Sequence, residues 1–159
     1  WNPNLHFPFP DSLPVGGPDD CFIVICSSQD FEFMESVSSK VHSSFTLPVL
    51  LDPFGAIVGP LVGNAGRPCL KCLSKRLKSR AGHHAATLKG ANLGQRWPKT
   101  FWMKLDAILQ EEVLKIRSKI VCSPLERGAF LFDFLNQRGE YEEVFPIPGC
   151  ECSTGYEFR

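Results

Sequence analysis

Ile57-Val58-Gly59-Pro60-Leu61-Val62 runs through Gly66-Arg67-Pro68 to Cys69-Leu70-Lys71-Cys72, and a basic run follows at Lys75, Arg76, Lys78 and Arg80. An apolar, β-branched stretch this short suits a strand, and the glycines and prolines after it end the strand in a turn. Leu70, Leu73 and Leu77 recur at helical spacing with Lys71, Lys75 and Lys78 between them, so a helix is expected over Cys69 to Arg80. The turn therefore presents two cysteines at C-x-x-C spacing where a helix begins. A second close pair stands near the far end, in Pro146-Ile147-Pro148-Gly149-Cys150-Glu151-Cys152. Two close pairs across a long gap read first as a tetrathiolate metal site.

Upstream, Cys21-Phe22-Ile23-Val24-Ile25-Cys26 is a continuous apolar run, too short for a helix, which suits a strand buried on both faces of a sheet. Cys21 and Cys26 then read as small core residues rather than ligands. Asp30 is a candidate helix cap, and Phe31, Met34, Val37 and Val41 give a short amphipathic helix to about His42. Leu47-Pro48-Val49-Leu50-Leu51 is the next strand, ended by the turn Asp52-Pro53-Phe54-Gly55, and Ala56 to Val62 forms the strand after it. Strand, helix and strand in this order make a βα unit of a parallel, Rossmann-type sheet. Residues Trp1 to Asp20, with prolines at 3, 8, 10, 14 and 18, read as an extended arm or linker, leaving 21–159 as the folded domain.

Downstream, Ala81 to Lys99 reads as a long loop; its His83 and His84 lack a third ligand nearby and read as solvent-exposed. Thr100 opens the longest helix, with Phe101, Leu105, Ile108, Leu109, Val113 and Ile116 as a core stripe and Lys104, Asp106, Glu111, Glu112 and Lys115 outward. Ile120-Val121-Cys122 reads as a short strand. Gly128 to Leu135 and Glu140 to Ile147, around Asn136-Gln137-Arg138-Gly139, form a β-hairpin. Its second strand delivers Cys150 and Cys152 to the end of the sheet.

Composition narrows the function classes. The chain has 159 residues, enough for one domain, and 17 basic residues balance 17 acidic ones. Zero net charge argues against a general nucleic-acid binder, and the Lys71–Arg80 run reads as a solvated helix face. No apolar run approaches the ~20 residues of a spanning helix, so no membrane partner is expected. Nor does Trp1-Asn2-Pro3-Asn4-Leu5 resemble a signal peptide. The missing initiating Met is read as the mark of a fragment. Seven cysteines, an odd number, fit a cytoplasmic protein with four thiolates on a metal and three buried singly better than a secreted disulfide framework.

Zinc takes four tetrahedral ligands, and thiolates at ~2.3 Å are strong ones. Cys69, Cys72, Cys150 and Cys152 would fill all four positions, leaving none for water or substrate, so the zinc would be structural. A C-x-x-C redox pair and an iron–sulfur cluster are the alternatives. The chain has no G-x-G-x-x-G after a strand, no G-x-x-x-x-G-K-[ST] and no recognisable Ser/His/Asp arrangement. No catalytic or cofactor-binding residue is therefore assigned.

Val58-Gly59-Pro60-Leu61-Val62, Gly66-Arg67-Pro68-Cys69-Leu70-Lys71-Cys72-Leu73 with Arg76, and the terminal Val144 to Cys152 together resemble a family. It comprises the ThiF-like cyclodehydratase, or leader-peptide-binding, components that accompany YcaO enzymes in making thiazole/oxazole-modified microcins and related peptides. The likeness spans roughly Cys21 to Cys152; the second pair, Cys150-Glu151-Cys152, is one residue shorter than the family's C-x-x-C. No winged-helix leader-binding module is recognisable in the chain. The resemblance implies an α/β, ThiF-type fold like that of ubiquitin-activating enzymes, of which this would be the C-terminal part, with zinc on Cys69, Cys72, Cys150 and Cys152 clamping the terminal hairpin. It also implies a precursor peptide bound through its leader and presented to a YcaO partner, which uses ATP to cyclise Cys, Ser or Thr. A homodimer is a further expectation.

The leading expectation is thus a non-catalytic, zinc-stabilised scaffold in azole-peptide biosynthesis. The alternative is an active ThiF-type adenylating or sulfur-transfer enzyme whose nucleotide site lies outside this chain. A zinc protein binding nucleic acid through Lys71–Arg80 is the third reading, opposed by the charge balance.

Overall fold

The computed structural model describes residues 21–27, 36, 45–52, 54–62, 68–81, 97–118 and 122–153. The proline-rich arm, the helix expected from Phe31 to His42 apart from Ser36, the Gly66-Arg67 turn, His83 and His84, and Ile120-Val121 all lie outside the described residues.

Five strands form one mixed sheet in the order β1-β2-β3-β4-β5: Cys21–Ser27, Phe45–Asp52, Gly55–Val58, Gly128–Asp133 and Arg138–Glu143. β1 and β2 pair in parallel, the crossover expected of a βα unit. From β2 onward every pairing is antiparallel, so the expected parallel sheet extends over one pair only among the described strands. The cause is the short turn at Asp52 to Gly55, which reverses the chain directly; a parallel successor needs a crossover of a dozen residues or more.

β2 is the strand buried on both faces. Leu47, Val49 and Leu51 point to one side, into a cluster with Ala56, Val58, Leu61, Phe101, Leu105, Leu125 and Phe132. Leu50 points to the other, with Cys26, Leu70 and Leu73. Its apolar run is continuous because neither face meets water. For β1 the same expectation fails: Cys26 is buried, but Ile23 and Ile25 are 41% and 38% exposed, since β1 is an edge of the described sheet. Among the described residues two helices supply the covers, α1 (Leu70–Ala81) on one face and α2 (Lys99–Ser118) on the other, giving an α/β layer structure.

The opening stretch is shorter as a strand than its apolar character suggests. β3 ends at Val58, because Gly59, at φ +90°, leaves the extended region of the backbone. The chain re-pairs at Val62, whose N–H and C=O bond to Thr46 at 2.8 and 2.7 Å. Gly59 to Leu61 therefore face Leu47 and Pro48, three residues against two, which is a β-bulge. A Cβ at Gly59 would meet the Leu125 side chain at 3.0 Å and the Gly128 carbonyl oxygen at 3.1 Å.

α2 corrects a second expectation. Phe101 and Leu105 are buried, and Ile108, Leu109 and Ile116 pack beside them. Glu112, read as outward-facing, is 1% exposed and sits on the buried side. Its carboxylate accepts from Ser123 Oγ at 2.5 Å, Lys115 Nζ at 2.8 Å and Tyr141 Oη at 3.1 Å. Ser123 Oγ in turn accepts from Leu125 N at 3.1 Å, capping the short 3-10 turn Pro124–Glu126. One charged side chain thus joins α2, the turn before β4, and β5. Such burial is tolerated because every carboxylate oxygen has a donor. Cys122, expected to be buried singly, is exposed instead.

The hairpin is present with its turn placed two residues earlier than expected. β4 stops at Asp133 and β5 starts at Arg138, leaving Phe134 to Gln137 as the turn. Asp133 accepts from the backbone and side-chain nitrogens of Asn136 at 3.1 and 2.6 Å, and Gln137 takes φ 55°. A short side chain that accepts from a backbone amide a few residues on holds a turn without a glycine. Gly139 serves β5 differently: the Phe130 ring lies where its Cβ would be.

Candidate metal centre

Cys69 stands at the mouth of α1, and its carbonyl accepts the first helical bond, from Leu73 N at 3.1 Å. Cys72 lies one turn in, on the same side of the helix as Cys69 because residues three apart are neighbours. Leu70 and Leu73 turn to the sheet and anchor the helix there. Its N-terminus carries no acidic residue, so the positive end of the helix dipole is free to favour thiolates.

The second pair arrives by a fixed route. Val144 N bonds to Arg127 O at 2.9 Å, Arg76 Nε donates to Phe145 O at 2.9 Å, and Ile147 N donates to Cys72 Sγ at 3.3 Å. The chain then reverses through Ile147-Pro148-Gly149-Cys150, with Cys150 N on Ile147 O at 3.0 Å and Gly149 at φ +79°. Proline then glycine at the two central positions is the signature of a type II turn, which needs positive φ at the second. A 3-10 turn over Glu151–Ser153, closed by Ser153 N on Cys150 O at 2.8 Å, brings Cys152 back beside Cys150. That tight turn is how a C-x-C pair, one residue short of C-x-x-C, can still turn both sulfurs inward.

The four sulfurs all lie within 4.8 Å of one another. Cys69 to Cys72 is 3.7 Å, Cys69 to Cys150 3.6 Å and Cys72 to Cys152 3.4 Å. A tetrahedron of sulfurs at ~2.3 Å from a central ion has edges of about 3.8 Å, so the donor set fits a four-coordinate metal. None of the seven cysteines is in a disulfide. Cys72 is buried, and the other three sulfur-bearing residues are half-buried.

The thiols are not equivalent. A backbone hydrogen bond from Cys152 pushes the Cys150 thiol down to about 7, helped by the neighbouring sulfurs. Burial pushes Cys69 and Cys152 up, and at Cys152 the hydrogen bond with the Cys72 sulfur adds to the rise. A crowded group of sulfurs cannot all ionise without a cation among them, and a dication would satisfy all four at once. With every position taken by protein, the arrangement can hold an ion but offers no open site for a substrate.

Of the basic run, Lys71 and Lys75 are exposed, as a solvated face requires. Arg76 is different: half-buried, it ties α1 to the segment that carries Cys150 and Cys152. In the sequence Arg76 stands among lysines and looks like part of the same solvated face. Its one distinguishing signal was its place in the C-x-x-C-x-x-x-R spacing.

No protein-family model and no curated protein matches the chain. Solved structures do. The E. coli MccB structure superposes with a TM-score of 0.60 at 11% identity, covering 88% of this chain and 40% of MccB. A chain of the E. coli microcin synthetase McbBCD complex gives 0.59 at 11% identity, over 83% of this chain and 52% of its own length. A heterocyclase in complex with substrate and cofactor gives 0.62 at 13% identity, over 89% of this chain and 21% of its own. The fold is of the ThiF-like type. It spans about 40% of the length of MccB and a smaller share of the heterocyclase. The cysteine motifs and the superpositions, two independent observations, thus lead to the same architecture.

Proposed function

We propose that the chain is a zinc-stabilised, non-catalytic scaffold that binds or presents a ribosomal precursor peptide to a YcaO-type cyclodehydratase in azole-peptide biosynthesis. The observation that carries this reading is the closed tetrathiolate cluster on a ThiF-like fold shared with a microcin synthetase chain and a heterocyclase. In it, Cys69, Cys72, Cys150 and Cys152 hold the zinc, which ties the segment after β5 to the start of α1 and takes no part in chemistry. Peptide and partner are then met by the surfaces so held, and the protein works in the cytoplasm.

The test is reconstitution. The chain is combined with a YcaO protein and a short Cys/Ser/Thr-rich peptide, chosen by searching the genes around its own, with ATP, and the peptide is weighed by mass spectrometry. Loss of one water per cyclised residue, seen only when the chain is present, supports the scaffold reading. ATP consumption by the full-length protein and peptide without the YcaO protein, with adenylate formed on the peptide, would replace it with the adenylating-enzyme reading. That second reading has its own support, since the fold occupies under half of MccB and a nucleotide site could lie in the rest of a longer protein.

A further inference from the structure

Every sulfur of the cluster accepts a backbone N–H. Cys69 stands just before α1 and its sulfur accepts from Cys72 N, the pattern of a helix cap, while the Cys150 sulfur accepts from Cys152 N. The other two bonds cross between the segments. Cys152 Sγ accepts from Cys69 N, and Cys72 Sγ from Ile147 N at 3.3 Å. Four thiolates carry more negative charge than a dication cancels, and N–H donors aimed at sulfur stabilise the excess. The two crossing donors are in place only when the segment after β5 lies against α1.

Arg76 is what lays it there. Cys72 and Arg76 are four apart, hence neighbours on one side of the helix. They meet residues two apart on the other segment: Ile147 N reaches Cys72 Sγ, and the Phe145 carbonyl accepts from Arg76 Nε at 2.9 Å. The segment thus runs beside α1 in the opposite sense, one helical turn against two residues, steps of about 5.4 and about 6.6 Å that nearly match. The rung at Cys72 ends on a metal ligand. The rung at Arg76 involves no sulfur, so it seats the segment whether or not an ion is bound. The neighbouring lysines do not duplicate it, since Lys71 and Lys75 are exposed. Arginine also holds its Nε–H in a rigid plane, whereas a lysine ammonium swings on a flexible stem.

We infer that Arg76 is a positioning residue of the metal centre. By holding the Phe145 carbonyl it brings Cys150, Cys152 and the Ile147 amide onto Cys69 and Cys72, and so sets how tightly the four sulfurs grip an ion. This rests on the four cysteines binding zinc, as proposed above, and is independent of any peptide.

The zinc-loaded full chain and its Arg76→Gln, Arg76→Lys and Lys75→Gln variants are titrated with a chromophoric chelator. Their thiols are trapped over time with N-ethylmaleimide and mapped by mass spectrometry. Arg76→Gln is expected to weaken zinc affinity about 10–100-fold, the range for groups that orient metal ligands, while Lys75→Gln at an exposed position stays within about twofold. Alkylation of Arg76→Gln should reach Cys150 and Cys152 before Cys69 and Cys72, with Cys26, buried beside Leu70 and Leu73, still protected. General destabilisation would instead open Cys26 together with the cluster. Arg76→Lys, which keeps the charge, should lose less affinity and show the same order of labelling; it decides the matter if the glutamine variant does not fold. Zinc held by Arg76→Gln within about twofold of the parent overturns the inference and leaves the metal reading intact. So does labelling without preference for the second pair, or labelling that reaches Cys26 equally. A parent that takes up no zinc removes the metal reading, and the inference with it.

Discussion

Consider removal of the second cysteine pair, Cys150→Ser with Cys152→Ser. The cluster joins Cys69 to Cys150 across 81 residues. Closing a loop of that length removes chain entropy from the unfolded ensemble worth about 4.5 kcal/mol at about 25 °C, on the model used for cross-links. That figure is a floor for the clamp, since ordered metal–thiolate bonds in small zinc domains contribute roughly 10–16 kcal/mol in all. A half-site of Cys69 and Cys72 would still bind metal weakly, but it closes no long loop. For a chain of this size each kcal/mol moves the midpoint about 2–4 °C, so the variant should melt roughly 10–18 °C below the metal-loaded parent. The assay is thermal unfolding by circular dichroism, beside zinc content by mass spectrometry, with the parent treated or untreated with a strong chelator. Chelation should reproduce most of the variant's loss and have little further effect on the variant. Cys122→Ser, an exposed thiol outside the cluster, should leave the midpoint where it is. A parent holding far less than one metal per chain, or a chelator that moves its midpoint by no more than about 2 °C, refutes the reasoning.

The other expectations follow from single contacts. Glu112→Ala strips the buried Ser123 hydroxyl and Tyr141 of their shared acceptor and should destabilise by about 2–4 kcal/mol in urea unfolding, with Glu112→Gln, which keeps an acceptor oxygen, losing less. Gly59→Ala, at φ +90° with Leu125 and Gly128 closing on the new carbon, should lose about 2–3 kcal/mol by the same measurement; a neutral result would mean the bulge relaxes. Zinc affinity should fall with falling pH, because each proton on a sulfur must be displaced. Cys69 and Cys152 hold theirs above the ordinary range and Cys150 down to about 7, so the decline steepens below about pH 7, where Cys150 also becomes protonated. Competition against a chromophoric chelator at stepped pH reads this, and a flat profile would exclude thiolate ligation.

Much of the architecture was legible because short-range rules dominate it. The strands at Cys21–Ser27 and Phe45–Asp52, both helices and the hairpin follow from apolar periodicity and turn residues acting over a few positions. The four cysteines singled out by spacing are the four that converge. Spacing sufficed there because Pro148-Gly149 and the start of α1 each build a local turn that aims two sulfurs without help from distant residues. Where reading failed, the deciding contact lay far off in sequence. Glu112 looks like any surface glutamate until Ser123 and Tyr141 supply donors from two other elements. Arg76 belongs to a lysine-rich face until Phe145 offers a carbonyl 69 residues away.

Most helices and strands, and two thiol pairs at ligand spacing, could be placed from the sequence to within a few residues, since each is settled within a helical turn or a tight loop; the hairpin turn and the end of β3 could not. Long-range contacts settled which strand is buried on both faces, that the sheet turns antiparallel after β2, and which charged side chain is interior. Those outcomes depend on the order in which strands pair and on what each face meets, and pairing is a property of segments brought together from across the chain, which no local pattern contains.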